Sequence, residues 1–160
     1  MKINYGRNII ELEDARIIYR NFSGAPSKFN REGDRNFAVI VPSQDDCDEL
    51  LEAGWNVKIK EPREGYEDDG PFMFLPVKVK FNNRGPGVYL ECGEKVQQLD
   101  EETIQILDDI DISSVNLVIR PYDWEVNGKT GRTAYLQAIQ VVQNIDPYGA
   151  KYYEEGKLGE

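Results

Sequence analysis

The chain has 160 residues and a mass of 18.3 kDa, the length of one domain, and its 40% hydrophobic and 11% aromatic content supplies a core. It contains no histidine, which excludes Ser-His-Asp and Cys-His catalysis and any imidazole metal site. Its net charge of −10 argues, taken globally, against a nucleic-acid partner.

Residues 1–17 carry no apolar run of the signal-peptide kind, so a cytoplasmic address is expected. Ala15 to Asn21, ARIIYRN, is rich in β-branched and aromatic residues and predicts a strand. FSGAPSKFNREGD follows as a loop with Gly24, Pro26 and Gly33 as breakers. Arg35 to Val41 predicts a second strand, stopped by Pro42. Ser43 then caps a short acidic helix with Asp45 and Asp46 in its first turn and Gly54 at its end. WNVKIK, residues 55–60, reads as a strand, the polar stretch 61–71 as a loop, and FMFLPVKVKF, residues 72–81, as a strand whose Pro76 marks an edge or a bulge. VYLEC and KVQQL are two short strand-like runs. Leu99 to Ile110 predicts the clearest helix: Asp100 caps it, Leu99 and Ile104 form a hydrophobic staple, and Ile104, Leu107 and Ile110 give it one apolar face. Val115–Val126 and Thr133–Asn144 flank the turn 127–131, where Asn127-Gly128 signals a hairpin. Residues 147–160 read as a tail after a single domain spanning 1–146.

The expected fold is mainly β: a five-stranded Greek-key barrel of the OB type, with the 99–110 helix plugging it between strands three and four and an additional short helix after strand two. A generic β-sandwich fits the same pattern. No run reaches the length of a membrane span. Cys47 and Cys92 form no CxxC pair and read as inert, partly buried thiols. No cofactor or metal is expected, and an oligomer is compatible with the pattern.

The charge is unevenly distributed. Residues 45–70 hold ten acidic and three basic side chains, and residues 100–111 hold six acidic and no basic ones. The rest of the chain is therefore net positive. Alternation sorts side chains onto two faces of a strand. Lys58 and Lys60 share one face, Lys78 and Lys80 another; if the two segments pair across the 61–71 loop, the four lysines gather on one side of a sheet. Arg120, Tyr122 and Trp124 also share a face, the arrangement that stacks on unpaired bases while cations track phosphates. Phe22, Phe72, Phe74 and Phe81 read as core, as does Trp55 beside Val57 and Ile59. The 21–34 loop interleaves Lys28, Phe29 and Arg31, and the last hairpin carries Lys129 and Arg132; in an OB barrel these two loops frame the ligand groove. The runs Asp45–Asp48 and Glu67–Asp69 read as solvated surface rather than a two-metal site.

NFSGAPSKFNREGDRNFAV, GWNVK and VIRPYDWEVNGKTGRTAYLQAI together resemble the single-stranded DNA-binding proteins of tailed phages, over about residues 15–150. The resemblance implies non-enzymatic, sequence-tolerant coating of single-stranded DNA in replication or recombination. It also implies replication or recombination partners recruited by a C-terminal tail. KYYEEGKLGE departs from that pattern, with two lysines and no closing aromatic, which weakens the implication. The alternative is an acidic interaction protein, a DNA mimic acting through its 45–70 and 100–111 clusters.

Overall fold

The computed structural model describes residues 1–145; the tail assigned to 147–160 lies outside them. Ten strands occur among these residues: β1 Lys2–Gly6, β2 Ile9–Ala15, β3 Ile17–Asn21, β4 Arg35–Ile40, β5 Lys58–Lys60, β6 Phe72–Val79, β7 Gly87–Cys92, β8 Lys95–Leu99, β9 Ile112–Val126 and β10 Lys129–Gln143. The sheet runs β1-β2-β9-β10-β6-β4-β3, with β5 added to β6 and the β7–β8 hairpin added to β10. Its neighbours are antiparallel except β10, which runs parallel to β6 and to β7. The fold is mainly β, as expected; the ten strands add β1 and β2, residues 2–15, to the runs read from the sequence. No helix of the described residues is long and apolar enough to cross a membrane.

Alternation builds the core. Leu12, Val39, Leu75, Val77, Val115, Leu117, Ile119 and Ile139 project from their strands to one side and are buried in a single cluster. Phe22 stacks on Phe37 within it, ring centroids 5.1 Å apart. Trp55 is buried as expected, whereas Ile59, on the same alternation, is exposed because β5 overruns the core. Pro76 pairs with Ala38 of β4. On its other side it falls between the stretch of β6 paired with β5 at 72–74 and the stretch paired with β10 at 77–78, where a missing N–H interrupts no ladder.

The single α-helix among the described residues, α1 Gln44–Glu52, is capped by the Ser43 hydroxyl, which accepts from the Asp46 N–H at 3.1 Å. Cys47 and Leu50 bury its apolar side. Burial, and then the nearby Asp48 charge, push the Cys47 thiol above its ordinary pKa. Cys92, expected to be partly buried, is exposed.

The expected 99–110 α-helix is corrected to a 3₁₀ segment, Ile104–Asp108. Asp100 does cap the turn that leads into it: its carboxylate accepts from the Glu102 and Thr103 amides at 2.9 and 3.0 Å. A hydrogen bond from the Thr103 hydroxyl at 2.9 Å, and after it those amide bonds, hold the Asp100 carboxyl below its usual range. Two things oppose a regular helix. Thr, Ile and Asp are indifferent helix formers, and the segment is tied laterally to β3. Arg20 donates to the Leu107 and Ile110 carbonyls at 2.7 and 2.8 Å, and the Asp108 carboxylate accepts from the Phe22 and Ser23 amides at 2.7 and 3.0 Å. Ile104 and Leu107 still enter the core.

Candidate nucleic-acid interface

The outer face of β4, β6, β10 and β9 brings most of the sequence-predicted residues together as a candidate site. A two-residue turn at Asn127-Gly128, both at positive φ (51° and 79°), joins β9 to β10. It sets the register that places Tyr135 opposite Arg120, Thr133 opposite Tyr122 and Gly131 opposite Trp124. On the other side of β10, Tyr135 pairs with Lys78, and Lys78 with Asn36 of β4. The result is a row, Asn36–Lys78–Tyr135–Arg120, crossing four strands on the face away from the core. Arg120 lies 5.3 Å from the Tyr135 ring centroid, and Tyr122 meets the same ring edge-on at 6.0 Å. A cation held over an aromatic face keeps its charge while its ring partner is steered into place.

Trp124 extends this face towards the hairpin tip. It is 38% exposed, and its indole lies on Gly131: a Cβ there would sit 2.3 Å from Cζ2. Its Nε1–H donates to the Thr133 hydroxyl at 3.2 Å. Lys129, exposed at the start of β10, projects to the same side as Gly131 by alternation. Tyr122 is 57% exposed.

β5 and β6 pair across the 61–71 loop, with Lys58 opposite Phe74 and Lys60 opposite Phe72. Lys58, Lys60, Lys78 and Lys80 therefore do share the outer face, but as two pairs at opposite ends of β6, with aromatics between them. Phe72 and Phe74, read from sequence as core, are half-buried on this outer face; Met73, Leu75, Val77 and Val79 take the inner positions. Phe22 is core as expected, and Phe81 is half-buried beneath Arg35, 5.6 Å away. Tyr19 completes the aromatic band. It sits at positive φ (56°) where β3 breaks register, is half exposed, and meets Phe74 and Phe72 edge-on at 5.4 and 6.5 Å. The Lys60 ammonium lies 5.6 Å from its ring centroid.

The 21–34 loop forms the far wall and is firmly built. Asn30 donates its side-chain N–H groups to the Ala25, Arg31 and Asp34 carbonyls, while Asn36 donates to Asn30 Oδ1 at 2.9 Å. A paired turn, Ser27 with Asn30, then presents Phe29 with 92% of its surface exposed and Lys28 5.7 Å from the ring centroid. Arg31 is also exposed and is ion-paired with Asp34 at 3.8 Å. Between this loop and β6–β10 runs a groove of about 670 Å³, lined among others by Tyr19, Phe29, Phe74, Lys78, Lys80 and Tyr135. Among the described residues, Asp34 is its one carboxylate.

Arg132 stands apart from the other hairpin residues. It faces the opposite side of β10, donating to the Asp123 carboxylate at 2.7 and 3.2 Å and to the Ala53 carbonyl at 3.1 Å, with its guanidinium 5.5 Å from the Trp55 ring centroid. These bonds hold Asp123 below, and Arg132 above, their ordinary pKa values. Its charge is engaged in joining the hairpin to the end of α1. Sequence reasoning missed Tyr19, Asn36 and Tyr135. The first is hidden by an irregular backbone; the other two follow from register.

The family model "Putative phage ssDNA-binding domain" matches residues 2–157. The chain belongs to that family. Solved structures agree in fold. The single-stranded DNA-binding protein from bacteriophage Enc34, in a C-terminal truncation, matches with a TM-score of 0.52 at 16% identity, covering 88% of each chain. The same phage protein in complex with ssDNA matches at 0.50 and 17%, covering 89% of this chain and 90% of that one. No curated protein matches the chain.

Proposed function

We propose that this phage ssDNA-binding domain holds single-stranded DNA on the outer face of β4, β6, β10 and β9, without reading its sequence. The observation that carries the reading is the row Lys78–Tyr135–Arg120, which sets a ring between two cations on one face. The outer positions of β6, β9 and β10 contain no carboxylate among the described residues. Lys58, Lys60, Lys78, Lys80, Arg120, Lys129 and Arg31 neutralise phosphates; Phe29, Tyr122 and Trp124 stack on bases, joined by Tyr19 and Tyr135. Every base has a π face, so such a surface accepts all four. Asp123 and Glu125 alternate to the other side of β9, and Glu11, opposite Val118, with Glu13 and Glu91 stands outside the lining of the groove, which reconciles a net charge of −10 with a cationic groove.

The strand order supports an OB-type barrel. β2 and β3 stand apart in the sheet order, yet only Arg16 separates them in the chain. One bent strand thus pairs with β9 through its first half and with β4 through its second, and the ring β2/β3-β4-β6-β10-β9 is read as the five-stranded barrel, with 104–108 as its plug. The acidic-mimic reading has no support from the family. Within 100–111, Asp100, Glu101 and Asp108 bond to the protein's own amides and to Arg35. Titration of tryptophan emission with a single-stranded oligonucleotide and its matched duplex, at low and moderate salt, tests the function. Strand-selective quenching that weakens with salt is expected; no binding by emission or by gel shift refutes it.

A further inference from the structure

Beside the long groove lies a second concavity of about 660 Å³, under the turn that joins β6 to β7. Its walls are Lys80, Arg84 and Arg120, with the amides Asn82, Asn83 and Gln137 and, among the described residues, no carboxylate in its lining. Lys80 lines both hollows, so the two adjoin at that side chain. Among the described residues, none of the three cations is in an ion pair; Arg120 leans on the Tyr135 ring. Unpaired cations facing one another across a carboxylate-free hollow repel, and an anion placed between them relieves that repulsion. The turn is rigid enough to serve as a wall. Asn82 and Gly85 exchange backbone bonds at 2.8 and 3.2 Å, and the Asn82 carboxamide oxygen accepts from the Arg84 N–H at 2.8 Å. A Cβ at Gly85, whose φ is 127°, would stand 3.2 Å from the Gly87 nitrogen and 3.7 Å from the Gln137 carbonyl oxygen, so the turn lies close on β10.

Resting on the DNA-binding reading above, we infer that the Lys80–Arg84–Arg120 hollow is a separate phosphate-binding subsite, taking the backbone of the same single strand where it leaves the groove. Lys78 and Lys80 are two residues apart, about 6.6 Å along a strand, close to the spacing of successive phosphates in an extended single strand. Arg84 then meets the next phosphate beyond the stacked bases. Neutral amides around the hollow suit a phosphodiester, which accepts hydrogen bonds without supplying any. The lining offers no aromatic side chain for a base, so the subsite adds charge contacts and no stacking.

The test measures affinity against salt for oligothymidines of about four and about twelve nucleotides, within the site sizes of such domains. Wild type, Arg84→Ala and Arg84→Lys are compared. The short strand fits within the groove and is expected to bind wild type and Arg84→Ala alike. On the long strand Arg84→Ala lowers the slope of log affinity against log salt by about 0.7, one phosphate contact to single-stranded DNA, and Arg84→Lys restores it. An unchanged long-strand slope, or an equal loss on both lengths, overturns the subsite while leaving the DNA-binding reading intact. Failure of wild type to bind either strand removes that reading, and the subsite with it.

Discussion

Substituting Gly131 with alanine separates stacking from every other contribution to binding. The new Cβ would stand 2.3 Å from Trp124 Cζ2, 2.6 Å from Cε2 and 3.0 Å from Nε1, against an ordinary contact of at least 3.4 Å. The indole therefore has to rise off the sheet by about 1 Å or turn aside, and its 3.2 Å bond to Thr133 is lost. The site is partly exposed, so the cost to folding is small, about 0.5 kcal/mol or less. The cost to binding is that of one misplaced stacking platform, about 1–3 kcal/mol, or roughly 5- to 150-fold in dissociation constant. Two readouts are needed. Trp55 is 3% exposed and reports on the core, so a Trp55→Phe background isolates Trp124 emission. A change in that emission proves that the ring moved, and an oligothymidine titration of the same protein gives the affinity. If the emission changes and the affinity does not, Trp124 does not stack on bases and its place in the site is wrong.

Phe29→Ala removes a ring that buries almost nothing in the protein; affinity falls by about 1–3 kcal/mol while the melting temperature holds, as thermal unfolding beside a titration will show. Lys78→Ala weakens binding to all base compositions equally and lowers the salt slope by about 0.7, read from titrations at several salt concentrations. Arg132→Ala behaves oppositely, lowering thermal stability and shifting Trp55 emission with little change in affinity, since its bonds are to Asp123 and Ala53. The Asp123 carboxyl is depressed chiefly by its hydrogen bond from Arg132. A depressed carboxylate adds stability above its unfolded pKa, near 3.9, and loses it as pH falls through the lower folded value. Melting curves of Asp123→Asn against wild type should therefore converge in acid and diverge towards neutral pH.

Much of this site was legible because alternation in a strand needs no structure to apply. Arg120, Tyr122 and Trp124 share a face as their spacing dictates, and the four lysines lie on one side of the sheet. The same parity places Phe72 and Phe74 with Lys78, on the outer face; reading them as core followed from residue type alone and ignored Met73 and Leu75, which fill the inner positions. The turn shows how one local choice propagates. Taking 127–131 as the loop hides the partners of β9, whereas the two-residue Asn127-Gly128 turn puts Tyr135 opposite Arg120 and Gly131 beneath Trp124. Residues 2–15 were missed as strands because short runs such as KINYG carry weak β signals and gain stability only by pairing. Tyr19 depends on a break in register, and the 104–108 segment on lateral bonds from Arg20 and Asp108. Both are tertiary facts that no window of sequence contains.

The central claim is that one face of the sheet holds the strand, and backbone amide chemical shifts, followed during titration with an oligothymidine, test it residue by residue. The account predicts shifts concentrated at Tyr19, Phe29–Asn36, Lys58–Lys60, Phe74–Lys80, Arg120–Trp124 and Lys129–Tyr135, with α1, β1 and the outer residues of β2 quiet. Shifts centred on α1 or on the 100–111 segment, with the Lys78–Tyr135–Arg120 row unmoved, would contradict it.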